Sequence, residues 1–208
     1  MSFVIAIDGP AASGKGTIAK IVAEKLGFDY LNTGLLYRAV AYFALQNQIE
    51  LRDTDKLVSL IDSINFNDTV GTALYGSVVS ENASVIAAIP EVRKALLGIQ
   101  RTFAIGKEGV VIEGRDIGTV IFPNANVKIY ITADIEERAA RRFKQLQKNG
   151  EDIIYDDVLR DLQIRDLRDS SRNNAPLTKG SDYLVVDTTK VDIDAAVDSI
   201  LKLINRAL

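Results

Sequence analysis

Apolar residues recur along the chain in two rhythms. Phe3-Val4-Ile5-Ala6-Ile7 is an unbroken apolar run that stops at Asp8-Gly9-Pro10, the pattern of a buried strand closed by a turn. From Lys15 onward, Ile18, Ile21, Val22 and Leu26 return at helical spacing, and Gly27 stands where a helix C-cap belongs. A short strand is predicted over residues 28–31, then a helix over 34–46 and another over 53–63. Residues 64–80 are richer in Asn, Thr, Ser, Gly and Val and predict short strands with turns. Pro90 suits the first position of a helix whose buried stripe is Ile89, Val92, Leu96, Ile99 and Phe103. Two apolar strands follow, at 110–112 and 127–131, then helices over 135–148 and 155–172. A strand at 183–186 and a helix over 193–206 end the pattern. Strands alternating with helices predict a mostly parallel sheet covered by helices on both faces. Residues 48–85 break the alternation and read as an insertion within one domain.

Composition narrows the chemistry. The 208 residues are 47% hydrophobic, enough for one substantial core. Cys and His are both absent, which excludes disulfides, thiolate zinc sites, His-ligated metals and Ser-His catalysis. Acid–base work falls to Asp or Glu. The net charge of −3 gives the whole molecule no pull on nucleic acid, so any anion site must be local. No apolar run reaches the roughly 18 residues of a membrane span, and the N-terminus lacks a basic-then-apolar leader. The expectation is a cytoplasmic protein with no membrane or nucleic-acid partner.

The first strand and helix are joined by Gly9-Pro10-Ala11-Ala12-Ser13-Gly14-Lys15-Gly16-Thr17. Gly9, Gly14 and Lys15 fit the phosphate-loop pattern, with the hydroxyl one place late, at Thr17. The glycines let the backbone turn its N–H groups inward, the helix adds its positive end, and Lys15 adds a point charge. The segment predicts binding of the phosphates of ATP, with Thr17 a candidate near Mg²⁺. A Gly-rich turn that merely joins strand to helix is the plainer alternative.

Phosphoryl transfer to an acceptor needs a second anion site facing the first. No Asn-Lys-x-Asp segment for reading guanine occurs. Four clusters offer the second site. Thr33-Gly34-Leu35-Leu36-Tyr37-Arg38 follows a strand, although Thr33 also suits a helix N-cap and Tyr37 plain packing. Glu113-Gly114-Arg115-Asp116 follows another strand, and Arg115 suits bidentate phosphate binding, although a surface turn explains it equally. Arg138 and Arg142 border the helical face of Ile135, Ala139, Phe143 and Leu146, with Arg141 further out; such charges often only snorkel. Arg165, Asp169 and Arg172 share a helical face, as a salt-bridge ladder would. One phosphate loop with several arginine sources fits a kinase better than a simple ATPase.

The ordered set of segments resembles the bacterial cytidylate kinases, within the nucleoside monophosphate kinases. It comprises Ile7-Asp8-Gly9-Pro10 through Thr17, Thr33 through Arg38, and Ala83-Ser84-Val85-Ile86-Ala87-Ala88 with Pro90 and Arg93. Gly114-Arg115-Asp116-Ile117-Gly118-Thr119-Val120-Ile121-Phe122-Pro123 and Glu136-Glu137-Arg138-Ala139-Ala140-Arg141-Arg142 follow. Arg165-Asp166-Leu167-Arg168-Asp169 and Arg172-Asn173-Asn174-Ala175-Pro176-Leu177 complete it. The resemblance runs from Ile5 to about Thr188. It implies a five-stranded parallel P-loop core (about 1–33, 106–134 and 178–208), an NMP-binding lobe with an insert (about 34–105) and a helical lid (about 135–177). It implies transfer of the γ-phosphoryl of ATP, with Mg²⁺, to CMP or dCMP, in pyrimidine metabolism, by a monomer. It implies that Thr33, Tyr37 and Arg38 belong to the acceptor site, that Ser84, Arg93 and Asp116 read cytosine, and that Arg115 holds the acceptor phosphate. Arg165, Asp169 and Arg172 would hold ribose and phosphates. Arg138 and Arg142 would come from the lid and, with Lys15, Arg115 and Arg172, supply the catalytic cations. Between Gly76 and Ala83 the chain is several residues shorter than the family's usual insert, and Glu113 stands where members often have Asp. The alternatives are a kinase for another nucleotide or a small alcohol, and an ATP-binding regulatory protein that transfers nothing.

Overall fold

A computed structural model describes residues 2–66 and 72–205. Five parallel strands form one sheet in the order β2-β3-β1-β4-β5. They are β1 (Phe3–Asp8), β2 (Asp29–Asn32), β3 (Gly109–Gly114), β4 (Val127–Thr132) and β5 (Leu184–Asp187). The helices are α1 (Lys15–Leu26), α2 (Thr33–Gln46), α3 (Thr54–Ser63), α4 (Ser77–Ile86), α5 (Pro90–Thr102), α6 (Ile135–Lys148), α7 (Tyr155–Ser171) and α8 (Ile193–Ile204). Among the described residues, no helix is long and apolar enough to cross a membrane.

The unbroken apolar run of β1 is explained by burial on both faces. Ile5 and Ile7 point to a layer shared with Ile18 and Val22 of α1, Ile129 and Ile131 of β4, and Val197 and Ile200 of α8. Val4 and Ala6 point the other way, to Val110, Ile112, Ile117 and Ile121, with Leu97 of α5 and Phe103 just after it packed against them. A third core joins α2–α5 through Val40, Leu57, Val79, Ile86 and Leu96. A fourth joins α6 and α7 and reaches the loop after β1 at Ala11. Chain direction therefore brings the segments after all five strands to one edge of the sheet, with the order switching at β1, where such sheets bind ligands.

One expectation fails. Strands and turns are predicted over 64–80, but residues 72–75 form a 3₁₀ turn and α4 already begins at Ser77; 67–71 lie outside the described residues, as does 206. Val79, Ala83 and Ile86 are all buried at helical spacing against α2 and α5, so packing outweighs the low helix preference of Ser, Val and Asn.

The end of β1 fixes the loop after β3. Asp8 is fully buried and accepts hydrogen bonds from the N–H groups of Ile117 (2.8 Å) and Gly118 (2.9 Å) and from the Tyr183 hydroxyl (2.8 Å). Residues Ile117–Ile121 wind as a π-helical turn, and the Asp116 carbonyl accepts from Val120 (2.9 Å) and Ile121 (3.1 Å). A Cβ at Gly118 would lie 2.5 Å from the Tyr183 hydroxyl, so a larger residue would push that hydroxyl off Asp8. Burial pushes the Asp8 carboxyl from 3.8 up to about 6, against the pull of its three hydrogen bonds. The folded state thus holds this proton more tightly than the unfolded chain. The resulting stabilisation is complete below pH 3.8 and is lost as pH rises to about 6. Asp8→Asn cannot titrate. The stability of the variant relative to the parent, from urea unfolding, is expected to rise by about 2–3 kcal/mol between pH 4 and pH 7. A difference that does not change with pH would contradict this.

Candidate active site

A cleft of about 1360 Å³ runs along the carboxyl edge of the sheet. Residues 11–18 and 188–194 line one end, and Thr33, Tyr37, Arg38, Ser84, Arg93, Arg115, Asp116, Arg165, Asp169 and Arg172 line the other.

The loop after β1 gets its shape from its small residues. Ala12 and Gly14 take left-handed backbone angles, with φ of 58° and 81°. A Cβ at Gly9 would lie 2.0 Å from the Ile131 carbonyl oxygen, so only glycine lets the loop press against β4. Gly14 caps α1 without a side-chain bond, which leaves the first-turn N–H groups of α1 facing the cleft. Lys15 Nζ donates to the Pro10 carbonyl at 3.1 Å. Gly9 and Pro10 lie behind the loop, while Ala11–Thr17 line the cleft and Thr17 is exposed at its rim.

The other end is a lattice of buried opposite charges. Arg93 Nη2 donates to Asp116, and Arg172 Nη2 approaches the second Asp116 oxygen at 3.6 Å. Arg115 Nε donates to Asp169 at 2.9 Å, and Arg165 and Arg172 each stand 4.0 Å from the same carboxylate. Arg93 also lies over the Tyr37 ring at 5.9 Å, and Arg38 over the Tyr75 ring at 5.1 Å. Thr33 donates to the Glu113 carbonyl at 2.8 Å and ties the start of α2 to β3; the residue capping α2 is Asn32, not Thr33.

Cations outnumber the carboxylates that face them. Burial and the nearby Arg115 and Arg165 pull the Lys15 ammonium down to about 7, although Glu113 and Asp169 oppose this. Burial and Arg142 bring Arg38 to about 10; burial and Arg115 do the same to Arg165. Burial pushes Asp116 upward, opposed by Arg93, Arg172 and Arg115. At Asp169 the balance reverses: burial is outweighed by Arg115 and Arg165, and the carboxyl is held below its usual range. Among the described residues, Arg165 Nε and Arg172 Nη2 are buried donors with no hydrogen-bond partner. The cleft is therefore built to receive more than one negative group.

Two arginines stand differently from the sequence reading. Arg138 does not line the cleft. Its guanidinium is buried beneath the loop, donating to the carbonyls of Ala133 (2.9 Å) and Ala11 (3.3 Å) and pairing with Asp166 (2.7 Å). Arg141 lines the cleft instead, donating to the Thr188 hydroxyl (3.1 Å) and carbonyl (2.7 Å). The sequence gives the apolar face of α6 but not how that face rolls against α7, and the roll decides which arginine turns inward. Arg142 reaches the Tyr75 carbonyl at 3.3 Å and the Ser80 hydroxyl at 3.1 Å. Sequence reasoning missed Thr188, whose hydroxyl donates to the Ser13 carbonyl at 3.0 Å. Its place directly after the last strand was the available signal.

With this geometry in view, comparison with known proteins is specific. The family model described as Cytidylate kinase matches residues 5–206. A cytidylate kinase of Methylocella silvestris is 48% identical over 98% of this chain and 94% of that protein. One of Paramagnetospirillum magneticum is 45% identical over 98% of each. Among solved structures, an uncharacterized protein from Eubacterium ventriosum aligns over 98% of this chain and 99% of that one, with a TM-score of 0.57 and 19% identity. A gluconokinase from Sinorhizobium meliloti aligns over 99% and 97%, with a TM-score of 0.51 and 12% identity. These two share the fold. The matched span and the level of identity to the curated relatives go further: the chain belongs to the cytidylate kinase family.

Proposed function

We propose that this cleft carries the activity of its family, transfer of the γ-phosphoryl of ATP to CMP or dCMP, through two anion sites facing one another. The observation that carries the reading is the pairing of the phosphate loop with a second cation cluster whose buried donors lie near carboxylates without being hydrogen-bonded to them. Backbone N–H groups of residues 11–17 and Lys15 hold the ATP phosphates. Arg38, Arg115 and Arg172, with Arg165, hold the acceptor phosphate, and Asp169 and Arg165 face the ribose. Arg142 and Arg141 lean in from α6. On this reading residues 34–105 form the acceptor lobe and 135–177 the lid, and the chain is a cytoplasmic monomer acting on small nucleotides.

No histidine is needed. A phosphate monoester is largely a dianion at neutral pH, so its oxygen attacks without a general base. The protein's work is to align two repelling anions and neutralise the charge that builds between them. Magnesium meets compatible donors. The Thr17 hydroxyl stands at the rim, and Glu113 Oε2 is buried without a hydrogen-bond partner, while its Oε1 accepts from Tyr30 at 2.8 Å. Glu113 faces Gly16, where a Cβ would lie 3.0 Å from Oε1. Thr17 and Glu113 would hold the ion, which when bound supplies charge neutralisation between the phosphates.

Cytosine presents an amino donor beside a ring acceptor, whereas uracil presents a carbonyl and an N–H. Asp116 can only accept when ionised, and Arg93 can only donate. The pair Arg93–Asp116 thus matches cytosine and opposes uracil, at a cost of about 1–3 kcal/mol for each mismatched contact. A reading as a non-catalytic ATP binder leaves the second cation cluster without a purpose.

The direct test is ADP release from Mg-ATP with CMP, dCMP, UMP, AMP or no acceptor. CMP and dCMP are expected to accelerate release most; equal rates with and without CMP would overturn the reading. A second test uses Lys15. With the free ammonium near 7 and bound phosphates raising it, ATP binding at pH 8 is expected to take up protons. Calorimetry in buffers of different ionisation enthalpy measures this, and Lys15→Met is expected to abolish the uptake. Uptake that survives in the variant would assign it elsewhere.

A further inference from the structure

Arg168 does not line the cleft, yet it hydrogen-bonds to a side chain that does. Its Nη1 donates to the Ser84 hydroxyl at 2.8 Å, and its Nη2 donates to Glu81 at 2.7 Å. Ser84 is buried and lines the cleft, and Glu81 lies one turn earlier on the same face of α4. A hydroxyl has one proton and two lone pairs. With one lone pair taken by Arg168, the proton and the remaining lone pair are confined to the other two directions around the oxygen.

The contact belongs to a longer seam. Ser77, Ser80, Glu81 and Ser84 recur at helical spacing along α4. The Ser77 N–H donates to Glu151 at 3.2 Å, and the Ser80 hydroxyl accepts from Arg142 at 3.1 Å. Glu151 and Arg142 come from the α6–α7 region, as Arg168 does. The polar stripe of α4 is therefore where that region rests on the acceptor lobe, and Ser84 is the end of the stripe that enters the cleft. The Arg168–Glu81 pair is partly exposed, so as an ion pair it contributes little to stability. Its geometric effect is larger: it holds the guanidinium fork with one prong on Ser84.

We infer that Arg168 is a specificity-determining positioning residue, acting through Ser84 to make acceptor-base choice depend on α7 lying against α4. This rests on the reading of Ser84 as a reader of the cytosine base. If α7 lifts away, Ser84 loses the bond that orients it, and the base site keeps only Arg93 and Asp116. Discrimination is then greatest in the arrangement in which the α6–α7 region covers the acceptor.

The test is a double-mutant cycle read as the ratio of kcat/KM for CMP over UMP, with Ser84→Ala, Arg168→Met and the double variant. Both single variants are expected to lower the ratio by about 5-fold or more, and the double to lower it no further than Ser84→Ala alone. Arg168→Lys keeps one donor but not the fork, and its ratio is expected to fall between the parent and Arg168→Met. A purely structural Arg168 would shift the melting temperature and leave the ratio alone. If Ser84→Ala lowers the ratio but Arg168→Met does not, the inference is overturned and the cytosine reading stands. If Ser84→Ala leaves the ratio unchanged, the role of Ser84 in base reading fails, and this inference fails with it. Should Arg168→Met not fold, Arg168→Lys decides alone: a lowered ratio supports the inference and a parental ratio overturns it.

Discussion

Crowding like charges into a partly buried cleft is costly, and everything distinctive about this molecule depends on how that cost is offset. Burial, reinforced by neighbouring arginines such as Arg115, lowers the proton affinity of Lys15, Arg38 and Arg165. Two buried carboxylates keep the arrangement from flying apart. Asp169 gathers Arg115, Arg165 and Arg172; Asp116 gathers Arg93 and Arg172. Neither carboxylate neutralises its neighbours completely, so donors stay available for anionic ligands. A cleft with equal numbers of each charge would be more stable and less useful.

The sheet makes this possible by delivering each charged segment to the same edge. Asp8 is the junction: from the end of the central strand it holds the backbone of Ile117 and Gly118, and so fixes the two residues just before them, Arg115 and Asp116. The phosphate loop starts at the next residue in the chain, Gly9. One carboxylate thus sets the spacing between the phosphate-loop end of the cleft and the end that holds Arg115 and Asp116, by covalent connection on one side and hydrogen bonds on the other.

Much of this was legible in the sequence, and the failures have particular causes. Strands and helices whose burial follows a simple period were read directly, such as β1 and α1. The segment that became α4 was misread because Ser, Val and Asn suggest strand or turn, whereas its buried Val79, Ala83 and Ile86 already stood at helical spacing. The phosphate-loop spacing named Lys15, the place after an apolar strand named Arg115, and the family resemblance named Asp116 as candidates. None of these could say that Thr33 spends its hydroxyl on the Glu113 carbonyl, that Arg138 is locked under the loop, or that Arg141 faces the cleft. Those outcomes depend on how helices roll against their neighbours, which local pattern does not encode. Arg168 was missed for the same reason: its importance lies in what it touches on another helix.

The central claim is that a carboxylate held between arginines turns a general anion cleft into a reader of cytosine. Asp116→Asn keeps the size of the side chain and replaces an obligate acceptor with a group that both donates and accepts. Steady-state kinetics with CMP and UMP at saturating Mg-ATP measures the consequence. The account predicts that the CMP-over-UMP ratio of kcat/KM falls by roughly 10-fold or more, while the KM for ATP changes little. An unchanged ratio, or a loss expressed only in the KM for ATP, would contradict it.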